Sequence, residues 1–182
     1  MDLTKEPAKQ EVRVCQPHEI SILKQFLDKN FGYSGSQSYQ TDFAPLFEDE
    51  QLKRMHIFWC DGQIAATASL YMGGDLIVDG KRHGAVGIIG GVATAPEYRN
   101  RGFSRHLLET IENEARKMRL DGLLLWSDKT DFYGRLGYQA VGKQQIFDLN
   151  LFLTKNSPAT LMGKMDRRWD LNQVAKLHAR HA

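Results

Sequence analysis

The most regular pattern in the sequence begins at Phe103, where apolar residues recur at every third or fourth position. The apolar positions are Phe103, Leu107, Leu108, Ile111, Ala115 and Met118, and charged residues lie between them. A period close to 3.6 residues places one side of a helix in the core and the other in water. The pattern therefore predicts an amphipathic helix that ends before Asp121-Gly122.

Strands are predicted on both sides of this helix. The run GLLLWS at 122–127 is continuously apolar, which is typical of a strand covered on both faces. Before the helix, a long strand at about 82–95 contains Gly87, Gly90 and Gly91. Glycine inside a strand indicates a bulge or a close approach of another group to the backbone. Together the three elements predict a β-α-β unit.

Shorter elements are predicted in the first part of the chain. VRVC at 12–15 has the pattern of a strand, and Pro17 is well placed in the first turn of a helix. Segment 31–40 is rich in glycine and serine and is predicted to be a mobile loop. A second helix is predicted over 42–54.

Two hairpins are predicted from Asp-Gly pairs. Strands 56–60 and 63–72 flank Asp61-Gly62, and Asp79-Gly80 forms the turn before the glycine-rich strand. Gly73-Gly74 is expected to break the first of these hairpins.

The order of elements predicts one α/β domain over residues 12–153, preceded by a flexible lead at 1–11. A short helix at Asp131–Leu136, stopped by Gly137, and one or two strands between 138 and 149 complete the domain. A linker and a C-terminal helix are predicted for the tail at 154–182.

The tail also resembles the start of the domain. GKMDRRWDLNQVAKLH at 163–178 aligns with VRVCQPHEISILKQFL at 12–27, since both have a basic and an apolar residue, a polar gap and an acidic-apolar pair. Two interpretations stay open. Residues 158–182 either begin a second domain or form a helix that packs on the core or on another copy of the chain.

Composition excludes several classes of protein. The 182 residues include 24 Lys and Arg and 22 Asp and Glu, a net charge of +2, whereas a nucleic-acid-binding protein would carry a strong basic excess. Apolar runs are far shorter than the ~20 residues of a membrane span, and the polar N-terminus does not look like a signal peptide. Cys15 and Cys60 match no zinc or redox motif, and His56, His83 and His106 show no metal-ligand spacing. We therefore expect no metal, and a cytoplasmic protein with free thiols or a single disulfide.

The turn before the amphipathic helix carries candidate chemistry. It reads Arg99-Asn100-Arg101-Gly102-Phe103-Ser104 and lies between a strand and a helix. A helix N-terminus exposes unpaired N–H groups at the positive end of its dipole, glycine allows close approach to the backbone, and arginine adds fork-shaped donors. The turn is thus predicted to bind an anion, best a phosphate. Neither the dinucleotide nor the P-loop fingerprint is present.

At this turn the sequence resembles the GCN5-related N-acetyltransferases. Their R/Q-x-x-G-x-G/A signature corresponds to residues 99–104, with Ser104 in place of Gly or Ala. VATAPEYR upstream and DFYGRLGY downstream also match the style of the family, over about 12–150. The closest resemblance is to the multi-domain enhanced-intracellular-survival type. It implies a mixed sheet of six to seven strands flanked by about four helices, with a V-shaped opening between strands 84–95 and 122–127.

The resemblance also implies that acetyl-CoA is the cosubstrate and that the chain is an N-acetyltransferase. The pyrophosphate of coenzyme A would lie on the turn, which consists of Arg99, Asn100, Arg101, Gly102, Phe103 and Ser104. The pantetheine arm would run along the strand at Val92 and Ala93, whose backbone would bond it as an added strand does. Tyr133 would be the catalytic residue, because it stands at the position of the tyrosine of the family and can donate a hydrogen bond to the leaving thiolate. Phe132 beside it is the better candidate for the core.

The acceptor and the base are left open by the sequence. The acceptor is expected to be the amine of a small molecule or of a lysine side chain, covered by the 31–40 loop with Tyr33 and Tyr39. Asp128 follows the apolar strand and is a candidate base, or alternatively it only caps the helix that follows. A water chain or a neutral amine would also serve as the base. A domain that binds coenzyme A without catalysis is the alternative function.

Overall fold

The fold is a mixed seven-stranded sheet with helices along its connections. The computed structural model describes residues 10–148 and 153–165. The strands are β1 (Gln10–Val14), β2 (Met55–Cys60), β3 (Gln63–Val78), β4 (Lys81–Thr94), β5 (Gly122–Ser127), β6 (Gln139–Asp148) and β7 (Leu153–Met165). Their order in the sheet is β1-β2-β3-β4-β5-β7-β6. The prediction of an α/β fold with a mixed central sheet is confirmed.

Helices are short except for two. The α-helices of the described residues are α1 (Ile20–Phe31), α2 (Tyr39–Asp42), α3 (Asp49–Leu52), α4 (Phe103–Lys117) and α5 (Thr130–Gly134). Single 3-10 turns occupy Pro17–Glu19, Ala44–Phe47 and Pro96–Tyr98.

The chain divides into two compact units. The first unit comprises Met1–Tyr71 and Ile89–Glu114, and the second comprises Met72–Ile88 and Ala115–Ala182. Both β3 and β4 contribute residues to each unit. The anion turn predicted above lies in the first unit, and Tyr133 lies in the second.

In the first unit, α1 and α4 supply most of the large buried side chains besides those of the sheet. Leu23 and Leu27 of α1 and Leu107 and Ile111 of α4 are fully buried. Burial of one such side chain contributes about 1.5–3 kcal/mol. The amphipathic pattern therefore predicted both the existence of α4 and its buried face.

An ion pair joins the end of β1 to the start of α1. Arg13 donates to both carboxylate oxygens of Glu19 at 2.6 Å, and the backbone N–H of Gln16 donates to Glu19 at 2.8 Å. These hydrogen bonds, that of Arg13 first, lower the pKa of the buried Glu19 carboxyl to about 2, although burial acts in the opposite direction. The strand and the helix are thus held together by a charged group that must stay ionised.

In the second unit, the parallel pair of the sheet joins β4 to β5. Val86, Gly87 and Ile88 pair with Gly122, Leu123 and Leu124. Asp121, just before β5, accepts the N–H of Ala85 at 2.9 Å, which supports this register. The V-shaped opening was predicted between strands 84–95 and 122–127. It would involve the residues of β4 and β5 that follow these pairs, and those residues belong to different units.

Both predicted Asp-Gly turns are present. Asp61 and Gly62 have φ of 51° and 81°, and Asp79 and Gly80 have φ of 48° and 72°. Positive φ at both central residues is the geometry of the hairpin turn that matches the twist of the flanking strands.

The prediction that Gly73-Gly74 breaks the hairpin is wrong, because β3 continues to Val78. A Cβ on Gly73 would lie 2.9 Å from the carbonyl oxygen of Val86. Gly73 therefore permits a close approach of two strands, and Gly74 continues the strand with a φ of 91°.

The predicted helix at 42–54 is also wrong. The segment is divided into the end of α2, the 3-10 turn Ala44–Phe47 and α3. Phe43 leaves helical geometry with φ −124° and ψ 40°, and Pro45 follows within the next turn. Proline lacks the N–H that a continuous helix needs, so the chain starts a new turn.

A linker was predicted to start at residue 154. This prediction is wrong for residues 154–165, because they belong to β7. This strand pairs antiparallel with both β5 and β6. Pro158 falls in the register shift between the Lys143–Thr160 and Gln145–Asn156 pairs, where a strand tolerates proline. Gln10 and Glu11 of the predicted flexible lead likewise belong to β1. Residues 1–9 and the tail helix predicted beyond 165 lie outside the described residues.

Candidate functional site

The turn between the 3-10 turn Pro96–Tyr98 and α4 has the backbone of an anion site. Asn100 and Gly102 adopt φ of 62° and 80°, so two of three successive residues have a left-handed backbone. The first helical hydrogen bond runs from the His106 N–H to the Gly102 carbonyl at 3.0 Å. Helix geometry leaves the preceding N–H groups, including those of Phe103 and Ser104, without a helical acceptor. These groups lie at the positive end of a 15-residue helix.

Stacked aromatic rings hold this turn in place. Phe103 stacks on Phe58 with ring centroids 3.9 Å apart and planes 11° apart. The ring centroids of Tyr98 and Phe103 are 6.0 Å apart. The Tyr98 hydroxyl accepts a 2.7 Å hydrogen bond from the Gln63 side chain. The guanidinium of Arg101 rests over the Tyr98 ring at 5.2 Å. The exposed Arg101 charge is thereby held beside the helix start.

Thr94, the last residue of β4, contacts both ends of the turn. Its carbonyl accepts from Arg99 Nε at 3.3 Å, and its hydroxyl is hydrogen-bonded to the hydroxyl of Ser104. The side chain of Ser104, the residue that departs from the family signature, is therefore directed to the strand end.

The glycine pair of β4 combines a distortion with a close approach. Gly91 has a φ of 60° inside the strand, and its carbonyl accepts from the buried Thr67 hydroxyl at 2.7 Å. A Cβ on Gly90 would lie 3.2 Å from Leu46 Cδ1. Immediately after this distortion, Val92 and Ala93 are half-buried. The sequence predicted a bulge or a close approach at these glycines. The structure has a distorted backbone at Gly91 and a close approach at Gly90.

The segment predicted as a loop over the acceptor includes a core residue. Tyr39 is 2% exposed and starts α2. Its ring lies between those of Phe31 and Phe43, with centroid distances of 4.6 and 4.5 Å. Burial raises the pKa of Tyr39 to about 12, against the effect of a backbone hydrogen bond with Gly91. Tyr39 therefore packs against β4.

Tyr33 is half-buried and donates to Asp42 at 2.7 Å. Burial, followed by this bond, raises the pKa of Tyr33 to about 12. The same carboxylate lies on α2, so Tyr33 is held to the helix that Tyr39 begins.

In the second unit, Tyr133 is 6% exposed on α5. Its ring meets Phe132 and Tyr138 edge to face at 4.9 and 5.8 Å. Burial and the nearby Asp128 raise the pKa of Tyr133 to about 12, while a hydrogen bond with the Ser127 side chain acts in the opposite direction. The phenol is therefore protonated near neutral pH and able to donate. Phe132, expected to be the core residue of the pair, is the less buried one.

Asp128 does not cap α5 as the alternative interpretation suggested. The hydroxyl of Ser127 accepts the Lys129 N–H at 2.9 Å instead. The exposed carboxylate of Asp128 is paired with the Lys129 ammonium at 3.0 Å.

Two supporting residues, Gln63 and Thr94, had no usable signal in the sequence. Gln63 holds Tyr98 across 35 positions, and Thr94 meets Ser104 across ten. A polar residue in a strand is ordinary, and its partner becomes visible only when the chain is folded. Within residues 10–148 and 153–165, no group of three His, Cys, Asp or Glu could hold a metal ion. None of the helices in that part of the chain is long and apolar enough to cross a membrane.

Comparison with known proteins identifies the domain. The family described as "Acetyltransferase (GNAT) domain" matches residues 11–141. No curated protein matches the chain. Among solved structures, a GCN5-related N-acetyltransferase from Kribbella flavida is 19% identical with a TM-score of 0.58, over 74% of this chain and 34% of that one.

Two mycobacterial structures are similar at 15% identity and a TM-score of 0.61. Eis1 from Mycobacterium abscessus matches over 75% of this chain and 32% of its own. Rv2747 from Mycobacterium tuberculosis, crystallised with CoA, matches over 86% of this chain and 99% of its own. At such identities the likeness shows the fold. The chain spans about a third of the length of the Kribbella and abscessus proteins.

Proposed function

The chain belongs to the GNAT acetyltransferase family, and from this premise we propose that it transfers an acetyl group from acetyl-CoA to a primary amine. The observation that carries the proposal is the turn at the start of α4. It combines left-handed residues at Asn100 and Gly102, free helical N–H groups and the Arg101 charge directly after the distorted strand β4.

The pyrophosphate of coenzyme A would bind the backbone N–H groups from Arg101 to Ser104. An added Cβ on Gly102 would meet no atom within 4 Å, so no residue beyond its chain neighbours packs against that side of Gly102. Arg101, held over Tyr98, would add a charge-assisted contact. Asn100 would contribute its backbone geometry rather than its side chain, and Phe103 would anchor the turn through Phe58.

Arg99 would have a different part in binding from Arg101. Its Nε already donates to the Thr94 carbonyl, which leaves the outer nitrogens of the guanidinium for a phosphate. The pantetheine arm would bond the backbone of Val92 and Ala93, and an N–H there would stabilise the charge that develops on the thioester oxygen.

Acetyl transfer forms a bond from the amine nitrogen to the carbonyl carbon and breaks the bond from that carbon to sulfur. The amine loses a proton to water, and the thiolate leaves and takes one up. Since the pKa of Tyr133 is about 12 and that of a free thiol is about 8.5, full proton transfer from the phenol would cost roughly 5 kcal/mol. We propose that Tyr133 donates a hydrogen bond to the sulfur as its charge develops, and that water completes the protonation.

The acceptor is proposed to be the amine of a small molecule or of a lysine. The rings of Phe31 and Phe43, 44% and 45% exposed, flank the buried Tyr39 beside Gly91 of β4. A primary amine on an apolar body would find there both apolar surface and ring faces that attract a cation. Tyr33 remains the candidate for a residue that covers the acceptor.

Isothermal titration with acetyl-CoA and CoA, followed by a broad screen of amine acceptors, tests the function. Binding together with release of free thiol that depends on an amine supports the enzyme. Binding without turnover for any amine would favour the alternative, a coenzyme A-binding domain without catalysis. An absence of binding at high micromolar concentration would refute both.

A further inference from the structure

The contacts of Thr94 connect the two places where a coenzyme A molecule would be held. Its backbone ends β4, one residue after Ala93, and its carbonyl and hydroxyl reach Arg99 and Ser104 at the two ends of the turn. The next residue, Ala95, donates its N–H to the Ala65 carbonyl at 2.9 Å, which fixes the strand end to β3. Thr94 therefore lies between the strand and the turn and is bonded to both ends of the latter.

We propose that Thr94 is a positioning residue, whose hydroxyl bond with Ser104 sets the start of α4 relative to the end of β4 for coenzyme A. This inference rests on the proposed function, because it assumes that the pantetheine arm and the pyrophosphate bind these two segments together.

The physical reason is preorganisation. The turn contains Asn100 and Gly102 at positive φ. Asparagine and glycine accept this conformation but also adopt others, so contacts around the turn must select it. A ligand that spans strand and turn binds most tightly if their separation is already correct, since otherwise binding must order them.

The bond also explains how Ser104 can replace the small residue of the signature. A hydroxyl that pointed into the phosphate site would compete with the backbone N–H groups for space. Because the hydroxyl is bonded to Thr94, the backbone of Ser104 remains available to the phosphate, and the departure from the signature adds a constraint to the turn.

The test compares the CoA affinity of the full chain with that of Thr94→Val, Ser104→Ala and the double variant by isothermal titration, well below the unfolding temperature. Valine keeps the branched shape of threonine and removes its hydroxyl. We expect each single variant to raise the Kd about fivefold, which corresponds to about 1 kcal/mol, the usual contribution of one neutral hydrogen bond. The double variant should be no weaker than either single one, because both remove the same bond.

Two further variants separate positioning from a structural role. Thr94→Ser keeps the hydroxyl and should restore the affinity of the original chain. Thr110→Val removes a hydroxyl of the same helix that bonds the His106 carbonyl at 2.9 Å, and should leave the Kd unchanged.

The inference fails if Thr94→Val binds CoA as the original chain does, if the two single effects add, or if Thr110→Val weakens binding equally. In each of these cases CoA still binds the original chain, so the result does not contradict the proposed function. If the original chain itself does not bind CoA, the proposed function fails and this inference fails with it.

Discussion

Replacement of Gly102 by alanine tests the backbone of the turn apart from any side-chain contact. Gly102 has a φ of 80°, and an added Cβ would meet no atom within 4 Å. The substitution therefore introduces no clash, and its whole effect should come from the left-handed backbone.

An L-residue in the left-handed region costs roughly 1–2 kcal/mol relative to glycine. Two responses are open to the variant. If the turn keeps its conformation, the free energy of unfolding falls by about that amount and CoA affinity is retained. If the turn relaxes, stability is partly recovered and CoA affinity is lost, because the N–H groups no longer converge. We expect the sum of the losses in stability and in binding free energy to be about 1–2 kcal/mol.

Urea unfolding with and without CoA measures both quantities on the same protein. Gly134→Ala is the matched control, because an added Cβ there also meets no atom within 4 Å and the residue is the last of α5 with no positive φ. Alanine there should stabilise by up to about 1 kcal/mol, as at other helical sites. The reasoning is refuted if Gly102→Ala is as stable as the original chain and binds CoA equally well, or if both alanine variants shift stability in the same direction.

Three further outcomes are expected. Tyr133→Phe should lower turnover at least tenfold and leave CoA affinity nearly unchanged, by steady-state kinetics and titration; equal losses would indicate a structural tyrosine. The Glu19 carboxyl, whose pKa is lowered to about 2 beside Arg13, contributes stability that is complete above about pH 4.5 and is lost as the pH falls through 2. Denaturation from pH 6 to 2 should therefore show a fall of roughly 3 kcal/mol that Glu19→Gln abolishes, and an unchanged fall in that variant would contradict the assignment. Gly73→Ala should destabilise by about 1–3 kcal/mol through its contact with the Val86 carbonyl, in urea unfolding, whereas a neutral effect would show that the strands can separate at no cost.

Local signals in the sequence were sufficient for several elements. The stripe that begins at Phe103 predicted α4, and the apolar run GLLLWS predicted β5 with its observed bounds. Asp61-Gly62 and Asp79-Gly80 predicted their turns, since few residues other than glycine, asparagine and aspartate accept positive φ.

Because these signals act over only a few residues, some predictions of strand ends were wrong. Gly73 was interpreted as a break in the strand, but the absence of a Cβ there allows a close contact with the carbonyl of Val86, 13 positions away in the chain. Residues 154–165 were assigned to a linker, although β7 includes them and a register shift in that strand accommodates Pro158. A glycine or a proline has several structural uses, and the neighbouring strand decides which of them applies.

By itself, then, the sequence determined the strand, turn and helix that carry the Arg99–Ser104 signature, because hydrophobic period and backbone preference act within a few residues. Tertiary structure decided that Thr94 holds both ends of that turn, that Gln63 fixes Tyr98 beneath Arg101 and that Tyr39 is buried beside Gly91. The contacts of Thr94 with Ser104, of Gln63 with Tyr98 and of Tyr39 with Gly91 join residues ten, 35 and 52 positions apart. The energy of each contact depends on distance and burial, which are defined only once the chain has folded.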